Sequence, residues 1–198
     1  MKKRGAWRLG VTAALLLAFA AWQLGAGGYI YLKAQLAQVL LERSWRQARA
    51  GATDARPWPW ADTQAVMRLR VPRLGIEQIV LAGVSNRTLA FGPGFMLASN
   101  QPGKTGLTVL SGHRETHFAF LGRLRPGDEL VLETPDGRTH RYRVSGHEVV
   151  NVNQTQLLLS GQQRDELVLI TCYPLRRALT LGPERYLVFA DKVESQPN

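Results

Sequence analysis

The 198 residues, 45% of them hydrophobic, accommodate one globular domain of roughly 100–150 residues together with extensions, and their single cysteine excludes an intramolecular disulfide. The formal net charge is +10, but residues 1–56 carry most of it, with nine Lys or Arg against two acids. Residues 57–198 hold sixteen basic residues against thirteen acids, so they lack the basic excess of a nucleic-acid-binding domain, and no nucleic-acid partner is predicted.

An apolar span over residues 9–32 contains no charged side chain and follows basic residues at positions 2–4 and 8. About 20 apolar residues cross a bilayer as a helix, and basic residues before such a span keep its N-terminal side in the cytoplasm. We therefore predict a cytoplasmic tail over 1–8 and a single-pass anchor over 9–32 in the cytoplasmic (inner) membrane. The domain that follows would lie on the outer or periplasmic side. The alternative is a cleaved signal peptide, cut among the small residues at 25–28.

Residues 33–62 are predicted to form a helical stalk followed by an arm. Apolar residues recur at helical spacing over 33–49, which fits either a stalk near the membrane surface or a helix packed on the domain. Residues 51–62 contain two prolines, which favour an extended arm. Trp58 and Trp60 are expected to pack where this arm meets the domain.

The globular domain is predicted to span residues 63–198 and to consist of short strands separated by turns. A hairpin turn is expected at Pro135-Asp136-Gly137, and His140 and His147 in or beside this hairpin are expected on a solvated face. The Gly- and Pro-containing segment 88–97 is expected to be irregular. The pattern favours an all-β barrel. The expected strands are 67–71, 76–81, 107–111, 129–133, 141–144, 166–172 and 185–193.

The strand at 166–172 carries the only cysteine. Its unbroken apolar run is typical of a strand buried on both faces, and it ends on Thr171 and Cys172. Pro174 has no amide donor, so the ladder is expected to stop within two residues of the thiol. A strand end is rigid and open to substrate, which suits a nucleophile. A lone cysteine is more often a small buried hydrophobe, and this stretch alone leaves both interpretations open.

A thiol that acts as a nucleophile needs a base or a cation nearby. His113 ends a short apolar strand as Cys172 does, so two strand ends at one rim of a barrel could bring them together. Arg185 opens the last strand, which is expected to pair antiparallel with the Cys172 strand. Its guanidinium could donate hydrogen bonds to an oxyanion, although an isolated Arg is usually only a surface charge.

These residues occur in motifs that resemble the sortases, the membrane-anchored cysteine transpeptidases of the bacterial surface. The resemblance covers residues ~64–191 and rests on Ser111-Gly112-His113, on Leu169-Ile170-Thr171-Cys172 and on residues 184–190, in that order. The family pattern before the cysteine is Thr-Leu-x-Thr-Cys, and Val168 stands here in place of the first Thr. The segment Gly-His-Arg-x-Thr-His-Phe and the Trp-Pro-Trp arm are most similar to the proteobacterial sortases.

The resemblance implies a closed eight-stranded β-barrel and a transpeptidase reaction. Cys172 would attack the carbonyl of a Thr in an LPxTG-like sorting signal of a secreted protein and form a thioacyl-enzyme. His113 would protonate the leaving amine and then deprotonate the incoming amine acceptor. Arg185 would steady the bound peptide and the tetrahedral intermediates.

The resemblance also implies which residues contact the signal peptide. Ser111, Ile170 and Thr171 would bind it, and the loop over 153–165 would cover it. Some relatives bind calcium through acids in that region, but only two acids lie near this loop, so no calcium, other metal or cofactor is predicted. A zinc site on His113 and His117 is disfavoured because strand surrounds them and one thiol leaves too few ligands.

Two other functions remain open on the sequence. The same residues could serve a cysteine peptidase that uses water as the acceptor. Alternatively, the chain could be a non-enzymatic anchored barrel that only binds a partner.

Overall fold

The computed structural model of the chain describes residues 2–154, 164–175 and 182–193. The chain divides into two compact units, Met1–Val39 and Leu40–Asn198. Helix α1 spans Lys2–Arg49. From Leu15 onward it is long and apolar enough to cross a membrane, and none of its most apolar stretch is buried by the protein. The predicted N-terminal apolar helix is therefore confirmed as a candidate membrane span.

The second unit contains a closed barrel of eight strands in the order β1-β2-β3-β4-β7-β8-β6-β5, with β5 pairing back onto β1. The pairs β2–β3 and β4–β7 are parallel and the others are antiparallel. The prediction of an all-β, closed eight-stranded barrel is confirmed. The strands are β1 (Ala65–Val71), β2 (Ile76–Ala82), β3 (Gly94–Phe95), β4 (Gly106–Ser111), β5 (Glu129–Glu133), β6 (Thr139–Asn151), β7 (Asp165–Cys172) and β8 (Glu184–Lys192), and the short helices are α2 (Asn86–Leu89) and two 3-10 turns at Pro72–Leu74 and Leu121–Arg123.

Alternating burial along the strands builds the barrel core. In β1, Met67, Leu69 and Val71 are buried while the arginines between them face outward, which is the period of a strand with one face in a core. Strand β7 is buried over Leu167–Leu169, as predicted for a strand covered on both faces, and Leu167 and Leu169 belong to the barrel core. Its outward-facing residues join a second apolar cluster on the outer surface of β4, β7 and β8. That cluster contains Leu107, Val109, Val168 and Leu187.

Strand β3 and the last two residues of helix α2 lie in the segment 88–97, which is expected to be irregular. The strand has only two residues, so no alternation can be read from it. It also passes very close to the end of β2, because a Cβ added at Gly94 would lie 2.2 Å from the carbonyl oxygen of Gly83. Only glycine tolerates this approach, which explains the glycine at position 94.

The last turns of α1 belong to the barrel unit. Leu41 and Trp45 are each 1% exposed, and the guanidinium of Arg68 lies 5.5 Å from the centre of the Trp45 ring. The buried hydroxyl of Ser44 donates to the carbonyl of Ala55 and accepts from the backbone N–H of Ala65 at 3.3 Å. Of the two alternatives for this helix, packing on the domain is therefore what the structure shows from Leu40 onward.

The two arm tryptophans have different environments. Trp58 packs edge-on against Phe91, with 4.9 Å between ring centres, as expected of a residue that anchors the arm. Trp60 is 80% exposed, so the prediction that it packs on the domain is wrong. The exposed Trp60 is therefore a useful control for the buried Trp45.

We expect Trp45→Ala to destabilise the barrel by about 3–5 kcal/mol, since it empties a fully buried site. Trp60→Ala should change stability by less than about 0.5 kcal/mol, as surface substitutions usually do. Urea unfolding of the two full-length variants, followed by circular dichroism, measures the difference. Equal midpoints for the two variants would show that the end of α1 is not part of the cooperative unit.

Candidate active site

Strand β7 lies between β4 and β8, and its register with both places outward-facing residues in rows. Residues directly opposite each other on neighbouring strands share a face of the sheet. One row joins Val109 to Val168 in parallel register, and Val168 pairs with Phe189 on β8. The next row, nearer the end of the barrel, contains Ser111, Ile170 and Leu187.

A third row, called the edge row from here on, lies where the sheet ends. Cys172, the last residue of β7, pairs with Arg185 of β8 in antiparallel register. The N–H of Gly112 still donates to the carbonyl of Ile170, at 3.2 Å, so His113 leaves the sheet at the level of Cys172. The structure thus brings His113, Cys172 and Arg185 to one edge of the barrel. All three side chains are half-buried.

A buried hydrogen bond joins the two strand ends beneath this row. Thr171 is 2% exposed, and its hydroxyl donates to the carbonyl of Gly112 at 2.7 Å. Its side chain faces the barrel interior, on the same face as Tyr186 opposite. The hydroxyl therefore fixes β7 against the segment that leads to His113, and any contact of Thr171 with a substrate would have to use its backbone.

Gly112 allows the chain to pass over the core at this point. A Cβ there would lie 2.7 Å from the ring of Phe118, which is fully buried. The chain then turns, and the carbonyl of His113 accepts hydrogen bonds from the N–H groups of Thr116 and Phe118, at 3.3 and 3.0 Å. The backbone that carries the imidazole is therefore held from both sides.

Two arginines, Arg114 and Arg185, donate hydrogen bonds to backbone carbonyls near the site. The buried Arg114 donates to the carboxylate of Glu115 at 2.5 Å and to the carbonyl of Pro174 at 2.6 Å. Arg185 donates through Nη1 to the carbonyls of Gly182 and Glu184, at 3.1 and 2.8 Å. A guanidinium has five N–H donors, so such contacts can orient it while other donors face a ligand.

A second histidine lies near the first. Burial lowers the pKa of His117, and the proximity of His113 lowers it further, although a hydrogen bond with the backbone of Ala90 acts in the opposite direction. The amide of Gln78 donates to the carbonyl of His117 at 2.9 Å. His117 is therefore neutral at pH 7, and within the described ranges no group of three or more His, Cys, Asp or Glu could hold a metal ion.

A family model described as Sortase domain matches residues 69–193. The chain belongs to the sortase family. It is 32% identical over 130 residues to Sortase D of Bacillus subtilis, a match that covers 66% of this chain and 65% of that protein. The predicted family is thus confirmed, while the closer similarity to proteobacterial sortases stays a prediction.

Solved sortase structures have the same fold. Sortase C-1 from Actinomyces oris superposes with a TM-score of 0.58 at 29% identity, covering 66% of this chain and 76% of that one. Sortase C of Clostridium perfringens, solved with the C-terminal cell wall sorting motif, gives a TM-score of 0.57 at 20% identity and covers 82% and 90%. At the lower identity the likeness shows the fold alone.

The sequence-predicted residues of this sortase occupy three kinds of position. His113, Cys172 and Arg185 lie in the edge row, Ser111 and Ile170 lie in the adjacent outward-facing row, and Thr171 faces inward. Their roles in catalysis and binding stay predictions. The loop expected to cover a substrate falls largely on residues 155–163, which are outside the described residues.

The environment of His140 differs from the prediction. It is 9% exposed, and its Nδ1 lies 3.0 Å from Nζ of Lys192, so the expected solvated position is wrong. Sequence analysis also assigned no role to Arg114. The available signal was its place in the Gly-His-Arg-x-Thr-His-Phe segment, since its partner Pro174 lies 60 positions away in the chain.

We expect Thr171→Val to destabilise this sortase by about 1–3 kcal/mol, because it leaves the buried carbonyl of Gly112 without its donor. Thr171→Ser retains the donor and should lose less. The free energies of unfolding of the two variants in urea make the comparison. A valine variant as stable as the original chain would show that the hydrogen bond does not hold the strand ends together.

Proposed function

We propose that this sortase is a membrane-anchored cysteine transpeptidase that cleaves an LPxTG-like sorting signal and transfers the protein to an amine acceptor. The observation that supports the proposal is the row of His113, Cys172 and Arg185 at one open edge of the barrel. A nucleophile, an acid–base group and a fixed cation are the three components that acyl transfer requires.

In the first half-reaction the thiolate of Cys172 attacks the carbonyl carbon of the Thr in the signal. Arg185 donates to the oxyanion that forms, and the imidazolium of His113 gives its proton to the leaving amine. The peptide C–N bond breaks and a thioester remains on the sulfur. Arg185 suits the oxyanion because its register with Cys172 fixes it on the same face of the sheet.

In the second half-reaction an amine acceptor attacks the thioester, and neutral His113 takes its proton. The C–S bond breaks, an amide forms, and the thiolate of Cys172 is restored together with the imidazolium. Water in place of the amine would give a carboxylic acid. The two outcomes therefore differ only in the acceptor, and analysis of the product separates a transpeptidase from a peptidase.

The surface beside the row supports an apolar peptide as substrate. Ser111 and Ile170 lie half-buried in the adjacent row, on the same outward face of the sheet. We propose that the Leu and Pro of the signal pack on Ile170 and that Ser111 offers a hydroxyl to the peptide backbone. The Sortase C structure solved with a cell wall sorting motif is consistent with this class of substrate.

The basic N-terminal residues and the apolar helix support a location in the cytoplasmic membrane, with the barrel on the outer or periplasmic side. A secreted protein would then meet the thiol after export. No cofactor takes part in the proposed steps, because the thiol, imidazole and guanidinium supply all the groups that react.

We expect Cys172→Ala to abolish turnover of a quenched LPxTG-type peptide in the presence of an amine, and His113→Ala to reduce it to near background. Arg185→Ala should lower kcat by roughly 10²–10³-fold, the typical effect of losing one oxyanion donor. Arg185→Lys should recover only part, since an ammonium cannot reproduce the guanidinium geometry. Mass spectrometry of the product measures amide against acid.

The control is Arg87→Ala, because the side chain of Arg87 is 73% exposed and its ion-pair partner is Asp62, which is not part of the row. It should leave kcat unchanged. Turnover that survives Cys172→Ala would overturn the proposal, as would equal losses for the Arg87 and Arg185 variants.

A further inference from the structure

Arg114 is a buried charge beside the proposed active site. Its side chain is 5% exposed, whereas the side chain of its carboxylate partner Glu115 is 49% exposed. A guanidinium removed from water is tolerated only when its donors are paired. Arg114 therefore occupies a buried position in which a cation is paired.

The second partner of Arg114 shows what the cation joins. Nη1 donates to the carbonyl of Pro174 at 2.6 Å, across 60 positions of the chain. Arg114 directly follows His113, and Pro174 lies two residues after Cys172. One side-chain hydrogen bond thus connects the segment that follows His113 to the segment that follows Cys172.

This hydrogen bond acts where the sheet no longer holds the two segments. The β4–β7 ladder ends at Ser111 and Ile170, and the N–H of Gly112 makes one further contact. Below the row, the hydroxyl of Thr171 is bonded to the carbonyl of Gly112. On the other side of the row, the hydrogen bond from Arg114 to the carbonyl of Pro174 joins the same two segments. The imidazole and the thiol are therefore bracketed by one cross-link on each side.

Glu115 supplies the counter-charge for Arg114. The hydrogen bond from Arg114 is the main cause that holds the pKa of the Glu115 carboxyl below its ordinary value, while burial acts in the opposite direction. The carboxylate therefore stays charged at neutral pH. Its charge offsets that of Arg114.

We propose that Arg114 is a positioning residue that sets the separation of His113 and Cys172 through its hydrogen bond to the Pro174 carbonyl. The inference rests on the proposed function, because it assigns Arg114 to the pair that this function uses. Misplacement of reacting groups by about 1 Å can cost ~10²-fold in rate. Loss of Arg114 should therefore lower kcat while KM for the peptide stays nearly constant, since the apolar row that binds the peptide is unchanged.

The test uses the full chain in detergent and a reaction that needs no peptide. Alkylation of Cys172 by iodoacetamide is measured against pH in four chains: the original, His113→Ala, Arg114→Gln and the double variant. An imidazole close to the sulfur alters the pH dependence of alkylation, so His113→Ala should shift this curve in the original chain. In the Arg114→Gln background the same substitution should shift the alkylation curve by less than half as much, because the imidazole would then lie farther from the sulfur.

Peptide kinetics supply the second readout. Arg114→Gln should lower kcat roughly 10–100-fold with KM changed less than about twofold. Arg114→Lys keeps the charge and a donor that can bond to the Pro174 carbonyl, so it should recover part of kcat and part of the alkylation shift. Arg87→Gln is the matched control and should behave as the original chain. Thermal unfolding confirms that each variant is folded at the assay temperature, and the lysine variant carries the test if the glutamine variant is not.

A full-sized His113→Ala shift in Arg114→Gln, or in Arg114→Lys if that variant carries the test, would overturn the inference, and so would a loss confined to KM. No shift in the original chain would overturn the proposed site together with the inference. A shift that depends on Arg114 in a chain that does not process the peptide would support the inference and count against the proposed substrate alone.

Discussion

Strands β4 and β7 run parallel in register from Gly106 opposite Asp165 to Ser111 opposite Ile170, so both end at the same edge of the barrel. Parallel strands cannot be joined by a tight turn, and the chain between these two forms β5 and β6 before it returns. The pairing therefore brings His113 beside Cys172 from a distant part of the chain. Because β8 then pairs antiparallel with β7, Arg185 enters at the same level.

The alternation of β7 places the neighbouring residues Thr171 and Cys172 on opposite faces of the sheet. Thr171 faces the core and bonds to the carbonyl of Gly112, while Cys172 faces outward to the surface. A slip of one residue in register would exchange these two faces, placing the thiol in the core and the hydroxyl at the surface. The buried hydrogen bond opposes that slip, since its donor would then lie on the wrong side of the sheet.

The sequence was sufficient for features that depend on local pattern. The apolar run before Cys172 and the turn residues at 135–137 predict β7 and the β5–β6 hairpin, because periodicity and turn chemistry are encoded within a few residues. It was insufficient for features that depend on distant partners. His140 contacts Lys192 and Arg114 bonds to Pro174, and neither partner is near in the chain.

The far end of β7 is fixed by charge. Asp165 accepts a hydrogen bond of 2.8 Å from the hydroxyl of Tyr142 and lies 3.2 Å from Nζ of Lys192. Burial and the adjacent carboxylate both raise the pKa of Tyr142, so its hydroxyl stays protonated and remains a donor. Strand β7 is thus tied to β6 and β8 where it begins and to the His113 segment where it ends. Because both ends are fixed, the sheet itself determines where the Cys172 sulfur lies.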